Sequence, residues 1–260
     1  EALQEKVRRP YNAFAKAVQL DSTHQKALYQ VAKFILQKEK DFPRVEQLCF
    51  KALESAPENV EIIGLLAQSF YARGFPDDAT TWFKRLIELG QSTSFIHEKL
   101  ALSYRKTNFY DLAIVHFKKV LEFNDKDPYA HYQLADLYHR KRIYDKAEFH
   151  GLTALLLKDV SLEDEYYVLG LIYDKKEDYK KALKYYNLCL KEKPNNVKAA
   201  YGKVVVADKY YEDKKAVLKG YEEFLEKHGQ GRYKYFYGDR VQKRISALKQ
   251  ELFLEEEKKD

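Results

Sequence analysis

The chain has 260 residues, of which 45% are hydrophobic and 33% charged, a balance that excludes a disordered polymer. Its 46 basic and 40 acidic residues leave a net charge of +6. That excess is modest and interleaved, which argues against a dedicated nucleic-acid or lipid footprint.

In chain order, a first helix is expected over Glu1–Leu20, with Phe14, Ala17 and Val18 on its apolar side. Pro10 predicts a kink or a late start there. From about Gln25, apolar residues recur at helical spacing in paired segments with short polar turns. The first pair carries Val31, Ala32, Ile35, Val45, Ala52 and Leu53 and closes near Pro57. The next opens near Val60 and carries Leu66, Ala67, Phe70, Ala79 and Phe83. A third, from about Ser94, carries Leu100, Ala101, Tyr104, Ala113 and Phe117. A fourth, from about Pro128, carries Leu134, Ala135, Tyr138, Ala147 and Ala154.

The clearest pair spans Glu163 to Asn196. Tyr166, Leu169, Gly170 and Tyr173 mark its first helix, and Tyr179, Ala182, Leu183, Tyr186, Cys189 and Leu190 its second. Pro194 closes it, because proline cannot continue a helix. A last pair from Val197 keeps Ala216 and Phe224. Gly229-Gln230-Gly231 then breaks the pattern. A final helix with Tyr237, Val241, Ile245, Leu248 and Leu252 on one face is expected to cap the last pair, followed by the charged tail Glu255–Asp260.

Ala79, Ala113, Ala147, Ala182 and Ala216 follow one another at spacings of 34, 34, 35 and 34 residues. A period near 34 marks stacked helical hairpins. The Leu169-Gly170…Tyr173, Ala182…Tyr186 and Pro194 pattern resembles the tetratricopeptide-repeat family closely. The resemblance covers roughly Gln25 to His228. It implies an all-α, right-handed solenoid of five to six hairpins over residues 25–228. A partial hairpin at 1–24 and a capping helix with its tail at 229–260 flank the array. Small residues such as Gly170 and Ala182 are expected where paired helices touch. The Gln25 pair has one residue more between its helices than the family spacing, and the Val197 pair puts Lys203 where leucine is usual.

The same resemblance implies that one face of each first helix lines a groove. Mapped onto this sequence, that face holds Gln68, Tyr71, Phe95, Arg105, Tyr129, Tyr132, Asp136, His139, Arg140, Tyr167 and Tyr201. Tyr132, Tyr167 and Tyr201 occupy equivalent places and would form a row. Tyrosine offers flat area, few rotors and a hydroxyl, which suits a peptide or partner helix. Packing of helix on helix is the competing reading of the row. The family's Lys/Asn/Arg clamp for chaperone tails is missing: its places hold Gly64 and Gln68, Glu98 and Leu102, Tyr132 and Asp136.

No catalytic signature emerges. His97-Glu98 fails the zincin pattern, and His131 and His139 lie about 12 Å apart along a helix, too far to share a metal. Glu163-Asp164-Glu165 reads as a favourable helix start. Cys49 and Cys189 are expected to be buried free thiols. Neither Ala154–Leu157 nor Val204–Ala207 is long enough to cross a membrane. The absence of Met predicts a processed product or an excised segment. The expected function is a non-catalytic scaffold, without cofactor or metal, that binds a protein or peptide partner. The rivals are the recruiting arm of a larger enzyme and a carbohydrate- or nucleic-acid-binding solenoid.

Overall fold

The computed structural model describes residues 2–158, 161–229 and 234–257. Fourteen α-helices and two π-helical turns make up these residues, with no strand among them. The first compact unit, Glu1–Asp125, contains α1 (Ala2–Leu20), α2 (Gln25–Phe34), α3 (Phe42–Ser55), α4 (Val60–Arg73), α5 (Pro76–Glu88), α6 (Ser94–Lys106) and α7 (Tyr110–Phe123). The second, Lys126–Asp260, contains α8 (Pro128–Arg140), α9 (Tyr144–Leu157), α10 (Glu163–Lys175), α11 (Tyr179–Glu192), α12 (Val197–Tyr210), α13 (Lys214–His228) and α14 (Asp239–Glu257). Gln230-Gly231 and the Lys258-Lys259-Asp260 end of the tail lie outside the described residues.

The first helices of the hairpins start on polar caps, except α10, which follows Leu162. Asn59, Thr93, Asp127 and Asn196 each accept from an amide in the first turn with their side-chain oxygen. Their C-terminal ends share one turn geometry. The amides of Phe75, Phe109, Ile143 and Asp178 donate to the carbonyls of Phe70, Tyr104, Tyr138 and Tyr173, five residues back. The turn needs a left-handed residue. Gly74 supplies it freely at φ 91°, whereas Asn108, Arg142 and Glu177 adopt φ of 61–64° with a side chain attached.

The second helices carry the core in one register. Val45, Ala79, Ala113, Ala147, Ala182 and Val217 are all buried at the fourth position. One turn on come Cys49, Phe83, Phe117, Gly151, Tyr186 and Tyr221, then Ala52, Leu86, Val120, Ala154, Cys189 and Phe224. Ala216 does not belong to this register: it is exposed, and Val217 takes the buried place. The reason is one extra residue. α11 starts 16 residues after α10, but α13 starts 17 after α12, which is a residue longer than α10.

The extra residue of the Gln25 pair is absorbed differently. Ile35–Glu39 form a π-helical turn, and the Lys40 amide donates to Ile35 at 2.7 Å before the chain leaves at φ 56°. A wide turn is how a helix takes up one inserted residue without shifting its neighbours. At the chain start, α1 passes through Pro10 and does not begin after it. It seats Tyr11, Phe14, Ala15 and Val18 on the α2–α3 core, with Tyr11 stacked on Phe34 at 4.4 Å.

Close approach explains the small residues of the second unit. A Cβ on Gly170 would lie 2.6 Å from the Tyr186 ring, and so would one on Gly202. Tyr186 therefore sits clamped between α10 and α12, replacing the Phe83 and Phe117 of earlier hairpins with a longer ring. Gly151 holds the same position in α9, and Leu169 enters the space, 3.0 Å from where its Cβ would be. At the far end α14 buries Val241, Ile245 and Leu248 against Val197, Val217, Tyr221 and Phe224. Arg244 locks that contact with two hydrogen bonds to Asp208, at 2.7 and 2.9 Å.

Candidate functional site

In the first unit, the inner faces of α4 and α6 open onto a cleft. About 440 Å³ of space is lined by Leu36, Lys40, Phe42, Gln68, Tyr71, Ala72, Phe95 and Lys99. A second groove of about 260 Å³ continues past Gln68 and Phe95 to Gly64, Phe83 and Ile96. Gln68, Tyr71 and Phe95, all singled out from the sequence, therefore share one wall. Phe95 is 45% exposed even though its ring meets Phe83 edge-on. Gln68 donates its side-chain N–H to the Gly64 carbonyl at 3.1 Å. Arg105, near the end of α6, is half-buried and does not line the cleft.

Several residues of this cleft are not among those the sequence singled out. Leu36 lies within the π-helical turn and Lys40 directly follows it. Lys99 sits over Tyr71 at 5.2 Å and over Phe95 at 5.3 Å, and Lys106 lies 5.0 Å from Tyr71. The Phe95/Lys99 spacing of four was a legible signal, since such pairs share a helix face.

The second unit places its candidates differently. Tyr129 is exposed, and Tyr132 and Tyr167 are half-buried. Asp136 accepts from Arg140 at 2.9 Å. Burial pushes the Tyr167 hydroxyl up to about 12, with Tyr237 and Asp136 reinforcing the effect and Arg140 opposing it. His139 is held below the usual imidazole range, mainly by burial. Tyr201 is covered by its own chain: Tyr237 packs on it at 4.5 Å and Phe224 at 5.9 Å. The tyrosine row is thus packed at Tyr167 and Tyr201, while Tyr129 and Arg140 remain on the surface.

The histidines form a repeated motif that spacing along one helix could not show. His97 on α6 meets His116 on α7 with Nδ1 to Nδ1 at 2.9 Å, and Tyr104 stacks on His116. In the second unit His131 on α8 meets His150 on α9 at the same distance, with Tyr138 stacked on His150. Burial lowers His97 and takes His116 down to about 4, with Lys119 and His97 adding repulsion respectively. In the His97–His116 pair the lowered values favour neutral rings, so one Nδ1–H donates to the other Nδ1. Among the described residues no cluster of three or more metal-ligating side chains occurs.

The acidic helix start is also a structural device. Glu165 is buried and takes Lys158 at 2.9 and 3.0 Å, while Glu163 takes Lys193 at 2.6 Å. Both cysteines are buried and free, and burial pushes Cys49 up to about 12 and Cys189 to about 11. Such thiols are poor nucleophiles. No described helix is long and apolar enough to cross a membrane.

Two family models match, one described as TPR repeat over residues 101–141 and one as tetratricopeptide repeat over 166–196. With the hairpin register above, these matches decide the family. The chain carries tetratricopeptide repeats. Solved structures agree on the fold of this repeat protein. YrrB, described as a TPR protein with an unusual peptide-binding site, is 19% identical, with a TM-score of 0.67 over 74% of this chain and 97% of its own. The C-terminal part of a TPR-containing protein from Cytophaga hutchinsonii is 18% identical, with a TM-score of 0.67 over 85% and 95%. PilF of Pseudomonas aeruginosa is 15% identical, with a TM-score of 0.60 over 83% and 97%. Comparison with the curated proteins gives no match.

Proposed function

We propose that this repeat protein is a non-catalytic interaction scaffold that holds an extended segment or helix of a protein partner on the inner faces of its first helices. The observation that carries the reading is the open apolar cleft walled by Gln68, Tyr71 and Phe95 in the first unit. Ligand sites are concave, mostly apolar and furnished with a few polar groups, and this cleft has that make-up. The peptide-binding site in the description of YrrB, a structure of the same fold, supports it. We place the partner in the first unit; in the second unit Tyr129, Tyr132, Asp136, His139 and Arg140 form a separate candidate face. Residues 25–228 act as the binding array, and 1–24 and 229–260 close its ends.

The test is affinity capture with the wild type, Phe95→Ala and Tyr71→Ala. Phe95 is exposed enough that its truncation leaves folding intact, which circular dichroism checks. The expected result is a partner recovered by the wild type and lost with both variants. Partners that all survive both changes would remove the cleft from the function.

A further inference from the structure

We infer that the cleft of the first unit selects an acidic peptide segment bearing one large apolar side chain. The inference rests on the groove reading above and adds to it the chemistry of the ligand.

Charge is the first argument. Lys99 and Lys106 bring two ammonium groups to a single ring, Tyr71, at 5.2 and 5.0 Å. Lys40, left-handed at the end of the π-helical turn, adds a third cation to the lining. Among the described residues, Lys40 and Lys106 pair with no carboxylate, and Lys99 has only its chain neighbour Glu98, at 2.8 Å. By contrast, Lys158 is paired with Glu165, and Lys176 with Asp145 and Glu148. Aromatic faces hold Lys99 and Lys106 loosely, since a cation over a ring is stabilised by only about 0.5–1 kcal/mol at an exposed site. A carboxylate entering between them relieves their mutual repulsion and makes charge-assisted hydrogen bonds.

Shape and polarity supply the second. Leu36, Phe42, Tyr71, Ala72 and Phe95 form an apolar bed in a space of about 440 Å³, ample for one leucine or phenylalanine side chain with its backbone. Gln68 spends an N–H on Gly64, so its carbonyl oxygen remains to accept from a peptide amide. The carboxylates nearby set the direction. Glu61 lines the adjoining groove and repels acid there, and Glu39 is turned to Arg44 at 3.5 Å. The acidic part of the ligand therefore lies over Lys40, Lys99 and Lys106, and its apolar side chain points into the bed.

The experiment is selection of random peptides on the full chain. Fluorescence polarisation of the selected peptides against four proteins follows: wild type, the double variant Lys40→Glu/Lys106→Glu, the matched control Lys180→Glu/Lys191→Glu, and Phe95→Ala. The expected peptides carry two or more Asp or Glu beside a Leu, Ile or Phe. Their affinity falls with added salt, drops about tenfold or more in the cleft double variant, and changes less than about twofold in the control. Peptides that need Phe95 but carry no acidic bias, or that lose equal affinity in both double variants, overturn the charge assignment and leave the groove reading standing. Peptides indifferent to Phe95→Ala, or a selection that enriches nothing, overturn both.

Discussion

The two units present the same face of the same kind of helix and use it in opposite ways. In the first unit that face is open: Tyr71 and Phe95 line unfilled space, and lysines rest on their rings. In the second unit two rings at another position of that face, the fifth of the first helix, are packed inside, while Tyr129, the counterpart of Phe95, stays exposed. Tyr167 lies near the clamped Tyr186 ring, at 6.2 Å between centroids, and Tyr201 lies under Tyr237. The difference comes from what neighbours each ring. A π-helical turn and the absence of bulk at Gly64 leave room in the first unit. In the second, glycines draw helices together and the chain's own C-terminal segment folds over the last repeat. Rings on one helix face therefore do not share one fate, and a ring on that face is open to a partner only when nothing in its own chain reaches it first.

The largest expected effect falls on the closed side. Gly170→Leu places a side chain where the Tyr186 ring already lies and should cost about 3 kcal/mol or more in chemical denaturation. An unchanged midpoint would show that α10 and α11 are not held at this distance. Tyr237→Ala tests the cover over Tyr201. A loss of about 1–2 kcal/mol is expected from the missing ring contacts, together with new exposure of Tyr201 measured by tyrosine fluorescence quenching. If neither changes, the C-terminal segment does not close that face.

A third test uses acid. His97 and His116 have lowered pKa values in the folded state, so the unfolded chain takes up their protons first as pH falls. Stability from this pair is complete above the unfolded value near 6.5 and is lost as pH drops from there toward about 4. Melting of the wild type should therefore weaken across that window, and His116→Gln should flatten its dependence. A pH profile identical in the two proteins would break the assignment of neutral rings to this pair. The smallest effect is the sharpest check of register: Ala216→Lys, at an exposed position, should change stability by less than about 0.5 kcal/mol. Val217→Ala, at its buried neighbour, should cost about 0.5–1.5 kcal/mol or more. The reverse order would restore Ala216 to the core.

Much of this was legible in the residues themselves. Period and composition pointed to paired helices, because an amphipathic helix writes its buried face at 3.6-residue spacing whatever it packs against. The closeness around Gly170 was readable too, since glycine mid-helix is costly unless something needs the space. The surplus residue of the Gln25 pair showed as a spacing anomaly. Its counterpart after Val197 was masked, because Ala216 happened to keep the 34-residue count while Val217 took the core.

The linear pattern by itself determined the helices, their pairing and the family. It also put forward eleven side chains as one groove face, of which Gln68, Tyr71 and Phe95 line the cleft of the first unit. Folding alone decided which of those rings stay open, that two pairs of histidines meet nitrogen to nitrogen, and that Lys99 and Lys106 meet over Tyr71 in a cleft that Lys40 also lines. The physical reason is range. Helix formation and hairpin register arise from residues a few positions apart, whereas access to a ring depends on segments tens of residues away that compete to cover it.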